Sequence, residues 1–413
     1  MIIERPNYIA KIAPFIDKKI IKVLTGIRRC GKSRLLDFVA EHLHSLGVEK
    51  GRILRANFES RTDESVRSAE AMISRVKAAC EQWRGARLYL MFDEIQELDG
   101  WEKLVNSLDV DFNVDIYITG SNARMLSSEL ATHLGGRYVE IHVYPLSFAE
   151  AYTVLRGEGL DKRKAFFEYL RRGGMPFIYD TGISGESARA YLEDIFNSIV
   201  LKDISNRHQV RDIDLLGRIL DFLMSEVAHS FSPTSLMKYL KHDRRSCGLE
   251  TIYNYTEFAE EACFVNRVKR YDLVGKELLL TQEKMYLVDH GFREARFGLN
   301  ERHIDRVLEN IVAIELIRRG WRVEVGKLRN LEIDFVATRG KEKMYIQVAY
   351  LMPDESTRER EFKPLKSITG DNYPRLVLTL DEVDFSDCGI VHKSIVDWCL
   401  TAQVDQASSA LAC

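Results

Sequence analysis

The sequence has 413 residues, of which 46% are hydrophobic and 29% are charged. These proportions exclude a largely disordered chain, and the length predicts two to four domains. The 59 lysines and arginines nearly balance the 62 aspartates and glutamates, which leaves a net charge of -3. That balance argues against a protein that coats nucleic acid through bulk positive charge, while a local basic face stays compatible with it.

The cysteines and the apolar segments predict a cellular compartment. Seven cysteines are scattered along the chain without a C-x-x-C pair, a pattern typical of a reducing compartment and not of a zinc site. Charged residues and a proline interrupt the N-terminal segment, which argues against a signal peptide. No apolar run approaches the roughly 20 residues of a membrane span. The sequence therefore predicts a cytoplasmic protein with no membrane partner.

From Lys19 onward, short β-type runs alternate with amphipathic helical segments, the pattern of an α/β fold with a parallel sheet. The predicted strands are 19–26, 52–58, 87–94, 114–121 and 137–144. Their nearly continuous apolar character is typical of parallel strands that are buried on both faces. Leucine and valine recur at helical spacing from Leu35 to Leu46, which predicts a helix after the first strand.

The end of the first strand carries a phosphate-binding motif, G-x-x-x-x-G-K-S, followed by a helix. Its glycines let the backbone N–H groups surround phosphate oxygens at the positive end of the helix. Lys32 would reach the β- and γ-phosphates of ATP, and Ser33 would ligate Mg²⁺. The predicted nucleotide-binding residues are Gly26, Ile27, Arg28, Arg29, Cys30, Gly31, Lys32, Ser33 and Arg34.

A second catalytic element follows about 60 residues later, where the apolar strand 87–94 ends in two acids. Asp93 is predicted to hold Mg²⁺ together with Ser33, directly or through water. Glu94 is predicted to orient and polarise the attacking water as a general base. The alternative is that both acids only cap the next helix.

Polar residues after the fourth strand, Ser121 and Asn122, are further candidates for positioning the attacking water, or for simply capping the helix that follows. Arg137 is a candidate for contacting the γ-phosphate, in its own chain or from a neighbouring subunit. Arg171 and Arg172 are candidates for the same contact from a helical lid. Ordinary surface arginines are the alternative for all three.

These motifs resemble the AAA-type P-loop ATPases of bacteria and archaea that carry a C-terminal nuclease-like domain of unknown function. The resemblance rests on the runs IIKVLTGIRRCGKSRLL, FDEIQ, ITGSNARML, GGRYVEIHVYPLSFAEA and RRGGMP, and it continues through IYNYTEFAEEACFVNRVKRYD, KMYLVDHGFREA and LENIVAIELIRRGWRVEVGK. It covers nearly the whole chain. The family implies an ATPase core, a helical lid, a winged helix and a nuclease-like end domain.

The expected domain boundaries follow this order along the chain. They are a P-loop ATPase core at 1–146, a helical lid at 147–211, a winged helix at 212–298, a nuclease-like α/β domain at 299–403 and a frayed tail at 404–413. The winged helix is read from three helices and a β-hairpin that turns near Gly275.

A basic stretch surrounds the winged helix and makes DNA a candidate partner. Its members are Lys238, Lys241, Arg244, Arg245, Arg267, Lys269 and Arg270. Several glutamates dilute this basic stretch, so the alternative is a winged helix that serves only to connect domains.

The end domain places Glu309 and Glu315 on a helix, Asp334 on a strand and Gln347 on the next strand. Restriction-type nucleases place a glutamate, an aspartate and an E-x-K on such an arrangement, where the carboxylates hold Mg²⁺ and the lysine assists the attacking water. Here Gln347-Val-Ala349 replaces E-x-K, and neither side chain supplies the charge that this chemistry needs. The sequence predicts a nuclease-like fold without cleavage.

The function predicted from the sequence is an ATP-binding and ATP-hydrolysing switch or motor that acts on nucleic acid or on a protein partner. Two alternatives stay open at this point: an Mg²⁺-dependent nuclease completed by Glu309, Glu315, Asp334 and Gln347, and a non-hydrolysing scaffold gated by ATP. A role for Arg137 in a neighbouring subunit would require a homo-oligomer.

Overall fold

The computed structural model describes residues 3–121, 135–242, 245, 247–298 and 303–401. Contacts divide the chain into an N-terminal unit, 2–145 with 261–263, and a C-terminal unit, 146–260 with 264–413. Asn122, the predicted helix after it and the predicted tail 404–413 lie outside the described residues. Within the described ranges, no helix is long and apolar enough to cross a membrane.

The N-terminal unit is a five-stranded parallel sheet with helices. Its strands are β1 (Ile21–Thr25), β2 (Ile53–Asn57), β3 (Leu88–Asp93), β4 (Val114–Gly120) and β5 (Tyr138–His142). Its helices are α1 (Pro6–Ile12), α2 (Lys32–Ser45), α3 (Ala69–Gln82) and α4 (Trp101–Asp111). All five predicted strands and the helix predicted after the first strand are confirmed.

The sheet order is β2-β3-β4-β1-β5, with parallel pairing throughout. Every residue of β1, β3 and β4 is buried, because both faces of the sheet centre are covered. The core between β3, β4 and the helices α3 and α4 is built around side chains such as Phe92 and Trp101. Since β4 lies between β1 and β3, the residues that follow these three strands meet at one edge of the sheet.

The C-terminal unit begins with helices and continues into a mixed sheet. The helices before the sheet are α5 (Phe148–Gly157), α6 (Lys162–Arg172), α7 (Pro176–Thr181), α8 (Gly185–Ser198), a π-helical segment (Ile199–Ser205), α9 (Asn206–His208), α10 (Ile213–Ser225), α11 (Pro233–His242) and α12 (Leu249–Glu261). The capping box of Ser147 and Glu150 begins α5, where both side chains bond the backbone N–H groups of the first turn.

The remaining strands are β6 (Val265–Asp272), β7 (Glu277–Leu287), β8 (Arg322–Leu328), β9 (Leu331–Arg339), β10 (Glu342–Val348), β11 (Arg375–Thr379) and β12 (Ile390–Ser394). The helices among and after them are α13 (Gly291–Phe297), α14 (Ile304–Arg318), α15 (Glu355–Lys366) and α16 (Ile395–Thr401).

These strands form a single sheet in the order β12-β11-β10-β9-β8-β6-β7. The three helices α10 to α12 and the hairpin of β6 and β7 follow the order predicted for a winged helix. The hairpin does not stand alone, however, because β6 pairs in parallel with β8 from Arg270 to Asp272. The boundary expected at 298/299 therefore falls between strands of one sheet, and β7 is an edge strand of that sheet.

Candidate nucleotide-binding site

The loop between β1 and α2 has a backbone that two glycines make accessible. Gly26 has a φ of 145°, and a Cβ at this position would lie 2.2 Å from the carbonyl oxygen of Val143. Gly31 has a φ of 100° and is the N-cap residue of α2. Residues with a side chain rarely adopt either backbone conformation, so the loop depends on glycine at both positions.

Lys32 begins α2 and folds back over this loop. Its ammonium donates to the carbonyl oxygens of Gly26 at 3.0 Å and Ile27 at 3.2 Å, and it lies 3.4 Å from the hydroxyl of Ser121. The side chain is only 4% exposed. The structure thus places the lysine charge at the mouth of the loop, where a phosphate group would replace weaker carbonyl acceptors.

Asp93, the last residue of β3, is held by hydroxyl groups from two other elements. Thr119 of β4 donates to the Asp93 carboxylate at 2.6 Å, and the hydroxyl of Ser33 also hydrogen-bonds to it. Burial raises the pKa of Asp93 against the effect of these two bonds. Ser33 and Asp93 are therefore adjacent, as a shared Mg²⁺ ligand set requires, and phosphate oxygens and water would complete its coordination.

Glu94 lies beside Asp93 with a left-handed backbone, φ 50° and ψ 50°. Its N–H donates to the Thr119 hydroxyl at 2.9 Å, and its carboxylate accepts from Ser121 at 3.0 Å and from the Gln96 amide at 2.5 Å. The Lys32 ammonium lies 3.7 Å away. A non-glycine residue in this backbone conformation is costly, and such strain is concentrated at functional sites.

The two adjacent acids differ in their electrostatics. Burial acts to raise the pKa of Glu94, but the charge of Lys32, the Gln96 amide, Arg28 and the Ser121 hydroxyl outweigh burial and lower it. Glu94 is consequently held ionised at neutral pH, while the pKa of Asp93 is raised. Neighbouring carboxyl groups with opposite shifts are typical of a site that assigns them different tasks.

The other loop residues contribute backbone more than side chains. Arg28 lies 3.5 Å from Glu59, and Arg34 donates to Asp37 at 3.1 Å. Arg29 is exposed, and burial raises the pKa of the Cys30 thiol. Direct nucleotide contacts by these four residues stay a prediction.

Sequence reasoning missed three residues that support the site. Thr119 and Gln96 hold the two acids, as described above. Arg5 donates to the carbonyl oxygens of Cys30 at 3.2 Å and Tyr144 at 2.8 Å, and its guanidinium lies over the Tyr8 ring. The one feature of the sequence that could have indicated Thr119 is its polar side chain near the end of the apolar strand 114–121. Nothing local marks Arg5 as part of the site, because its backbone partners Cys30 and Tyr144 lie far along the chain.

Arg137 lies elsewhere in the N-terminal unit. Its guanidinium pairs with Asp109 at 2.9 Å and donates to Asn106 at 2.8 Å, and its carbonyl accepts from Ile21 at the start of β1. The loop follows the other end of β1, about 16 Å away at strand rise. This position does not favour a contact between Arg137 and the nucleotide of its own chain, and a contact in its own chain or from a neighbouring subunit stays a prediction.

In the C-terminal unit, most of the predicted basic residues that the structure describes are paired within the chain. Arg171 and Arg172 each pair with Glu168 at 3.1 Å. Arg245 pairs with Asp214, Arg267 with Glu260 and Glu283, and Arg270 with Glu332. Lys238, Lys241 and Lys269 are exposed, and Arg244 lies outside the described residues.

The nuclease-like residues are brought together only in part. Glu309 of α14, Asp334 of β9 and Gln347 of β10 lie in one buried polar cluster, which Lys284 of β7 joins. Glu315 is not part of it, because its carboxylate pairs with Arg319 at 2.9 Å and Arg318 at 3.5 Å. Among the described residues, no group of three or more histidines, cysteines, aspartates and glutamates is arranged to hold a metal ion.

Comparison with known proteins finds relatives over nearly the whole length of the chain. An AAA domain model matches 18–152, and a domain of unknown function (DUF8612) matches 163–303. The chain is 37% identical over 407 residues to an uncharacterized protein of Haemophilus influenzae, covering 96% of this chain and 98% of the relative. It is 29% identical over 416 residues to an uncharacterized protein of Methanocaldococcus jannaschii, covering 93% and 89%.

Among solved structures, the Aeropyrum pernix Orc1 protein in complex with DNA matches 71% of this chain and 92% of that chain, at 14% identity and a TM-score of 0.33. That similarity is too low to carry a shared function over to this chain.

Proposed function

Because this chain belongs to a family of AAA-domain proteins with bacterial and archaeal members, we propose that it binds ATP with Mg²⁺ at 26–34 and hydrolyses it. One observation carries the proposal: Lys32, Asp93, Glu94, Ser121 and Thr119 form a single hydrogen-bonded cluster at the sheet edge where the phosphate-binding loop lies. These residues come from three different strands or the segments that follow them.

In this proposal each side chain has one task. Lys32 and the loop backbone hold the phosphates, and Ser33 with Asp93 hold Mg²⁺, which neutralises phosphate charge when it is bound. Glu94 accepts a proton from the attacking water, for which its lowered pKa keeps it ionised. Ser121 and Gln96 orient the Glu94 carboxylate, and Thr119 fixes both acids to β4.

Nucleotide binding has to rearrange part of this cluster. Lys32 now donates to two loop carbonyls and Ser121, and a phosphate has to draw it away from them. Once Lys32 has moved away, the Ser121 hydroxyl keeps its hydrogen bond to the Glu94 carboxylate and loses the one to Lys32. Exchange of these bonds on binding and hydrolysis is the local step of a nucleotide-driven switch.

The test measures ATP binding and turnover separately, with Lys32→Ala and Glu94→Gln as variants. Lys50→Ala and Glu97→Gln are matched controls, because both residues are exposed in the same unit. We expect Lys32→Ala to lose binding of a fluorescent ATP analogue, and Glu94→Gln to bind it while turnover falls at least a hundredfold. Equal turnover in wild type and Lys32→Ala overturns the hydrolysis proposal. Equal turnover in wild type and Glu94→Gln, both at background, supports an ATP-gated scaffold instead.

The partner that the switch acts on is proposed to be nucleic acid or another protein. For DNA, the contact depends on Lys238, Lys241 and Lys269, because the described arginines of the basic stretch are neutralised by acids. In a plot of the logarithm of the DNA-binding constant against the logarithm of the salt concentration, replacing these three lysines by alanine is expected to make the slope less steep by about 3. No DNA binding by wild type at low salt leaves a protein partner.

A homo-oligomer is proposed only in connection with Arg137. Arg137→Ala in full-length protein, assayed at increasing concentration, tests it. Turnover that rises with concentration in wild type and not in Arg137→Ala supports a contact from a neighbouring subunit. Identical profiles for the two proteins exclude it.

A further inference from the structure

The C-terminal unit contains a buried lysine that the proposed ATPase does not use. Lys284 of β7 is 4% exposed, and its ammonium lies 2.8 Å from the carboxylate of Glu309 on α14 and 2.8 Å from that of Glu332 on β9. Three elements of the unit thus meet at one ammonium group. A buried lysine of this kind is stable only when its charge is paired.

A second layer of bonds surrounds this group. The guanidinium of Arg270 pairs with Glu332, and the hydroxyl of Tyr286 donates to Glu309 at 2.6 Å. Two cations therefore face two carboxylates, and a phenol completes the shell of one of them. Lys284 and Tyr286 share one oxygen of Glu309, and Lys284 and Arg270 take one oxygen each of Glu332.

The neighbouring nuclease-like residues bond to the backbone and to one another. Asp334 accepts the N–H of Val348 at 2.8 Å, and its own N–H donates to the Gln347 side chain at 3.4 Å. The Gln347 amide in turn donates to Glu361 at 3.4 Å. The neutral amide of Gln347 thus forms hydrogen bonds to both Asp334 and Glu361.

A divalent cation does not fit this arrangement. Mg²⁺ is bound through oxygen ligands at about 2.0–2.1 Å and uses carboxylates to offset its charge. Here the ammonium of Lys284 already lies between Glu309 and Glu332, and Arg270 adds a second positive charge. Both positive charges repel a divalent cation that would have to bind the same carboxylates.

We propose that the Lys284 ammonium is the resident cation of this cluster, so that the C-terminal unit holds its carboxylates together without a divalent metal and does not cleave nucleic acid. The lysine binds the edge strand β7 to α14 and β9 through its two ion pairs. An inward-pointing charge also protects an edge strand from pairing with another chain. The nuclease-like part is then a binding or structural module whose hairpin is fixed by Lys284.

The experiment measures Mn²⁺ binding to the full-length, nucleotide-free protein by electron paramagnetic resonance. Lys284→Met removes the charge and keeps the length of the side chain. Lys269→Met is the matched control, because Lys269 is exposed on the adjacent strand. Lys284→Met with Glu309→Gln removes both partners of one ion pair, and Glu309→Gln alone reports whether wild type uses this carboxylate for metal.

We expect wild type, Lys269→Met and Glu309→Gln to bind the same number of Mn²⁺ ions. Lys284→Met is expected to gain one ion at least tenfold tighter than anything at this cluster in wild type, and the double variant to lose it again. If Lys284→Met does not fold, recovery of folding in the double variant supports the ion pair. If neither variant folds, the comparison of Mn²⁺ binding by wild type and Glu309→Gln decides.

Three results overturn the proposal. They are a wild-type Mn²⁺ ion that disappears in Glu309→Gln, a folded Lys284→Met that gains no ion, and Mn²⁺-dependent cleavage of plasmid DNA by wild type that Asp334→Asn abolishes. The last result would show a nuclease. None of these readouts depends on ATP turnover, so failure here leaves the proposed ATPase function standing.

Discussion

Thr119 is the residue whose replacement tests the geometry of the site most directly. Its hydroxyl donates to Asp93 at 2.6 Å and accepts the N–H of Glu94 at 2.9 Å, and the side chain is fully buried. Thr119→Val keeps the shape and removes both bonds. Thr119→Ser keeps both bonds and removes one methyl group, so it is the matched control.

The magnitude follows from these two bonds. A hydrogen bond to a charged group contributes about 1.5–3 kcal/mol, and a buried N–H left without a partner costs about 1–3 kcal/mol. Thr119→Val is therefore expected to lower the free energy of unfolding by about 3–5 kcal/mol. Thr119→Ser loses one buried methyl group, which costs about 1 kcal/mol. The difference between the two variants is about 2–4 kcal/mol.

Catalysis is expected to respond in the same order. Asp93 and Glu94 lose the group that fixes them to β4, and misplacement of catalytic groups by about 1 Å costs on the order of a hundredfold in rate. The Thr119 bond also opposes the rise in the pKa of Asp93, so without it that pKa rises further and more Mg²⁺ is needed at low pH.

The assays are urea denaturation of the nucleotide-free protein and ATP turnover over a range of Mg²⁺ concentrations and pH. The Mg²⁺ requirement is a readout that general destabilisation does not move. Equal stability and equal turnover for Thr119→Val and Thr119→Ser would refute the reasoning, because the hydroxyl is the group that only the serine retains.

The remaining predictions concern other polar groups of the N-terminal unit. Lys22 and Asp115 form a fully buried ion pair, so Lys22→Met leaves a buried charge and is expected to cost about 3–5 kcal/mol in denaturation, with recovery when Asp115→Leu is added. Burial lowers the pKa of His142 from 6.5 to about 4. The unfolded chain then takes up the proton first, so stability is complete above pH 6.5 and falls by about 2 kcal/mol on going from pH 7 to pH 5. His142→Phe is expected to lose about 2 kcal/mol less of its free energy of unfolding between pH 7 and pH 5 than wild type does. The same loss in both proteins would contradict this prediction. Gln96→Ala frees the Glu94 carboxylate, so its pKa and the acid limb of the kcat profile should move to higher pH with little change in ATP affinity, whereas Glu97→Gln should move neither.

Features that are local along the chain could be predicted from the sequence. The phosphate-binding loop is contiguous from Gly26 to Ser33, and its glycines have the backbone conformations that the motif needs. Continuous apolar runs predict the central strands β1, β3 and β4, because burial on both faces requires apolar residues at every position. The edge strands β2 and β5 are only partly buried, so the expectation of burial on both faces fails for them. The acids at the end of β3 were predicted from the same contrast between an apolar strand and the polar residues that follow it.

Contacts between distant side chains depend on how the strands pair. Thr119 reaches both acids because β4 pairs with β3, and Arg5 reaches Tyr144 across 139 positions of the chain. Parallel pairing of β5 with β1 places Arg137 at the start of β1, away from the loop, which its position in the sequence does not reveal. Lys284 meets Glu309 and Glu332 only through the sheet that joins the hairpin to β8. Strand order and register set these contacts, and no local pattern of residues records them.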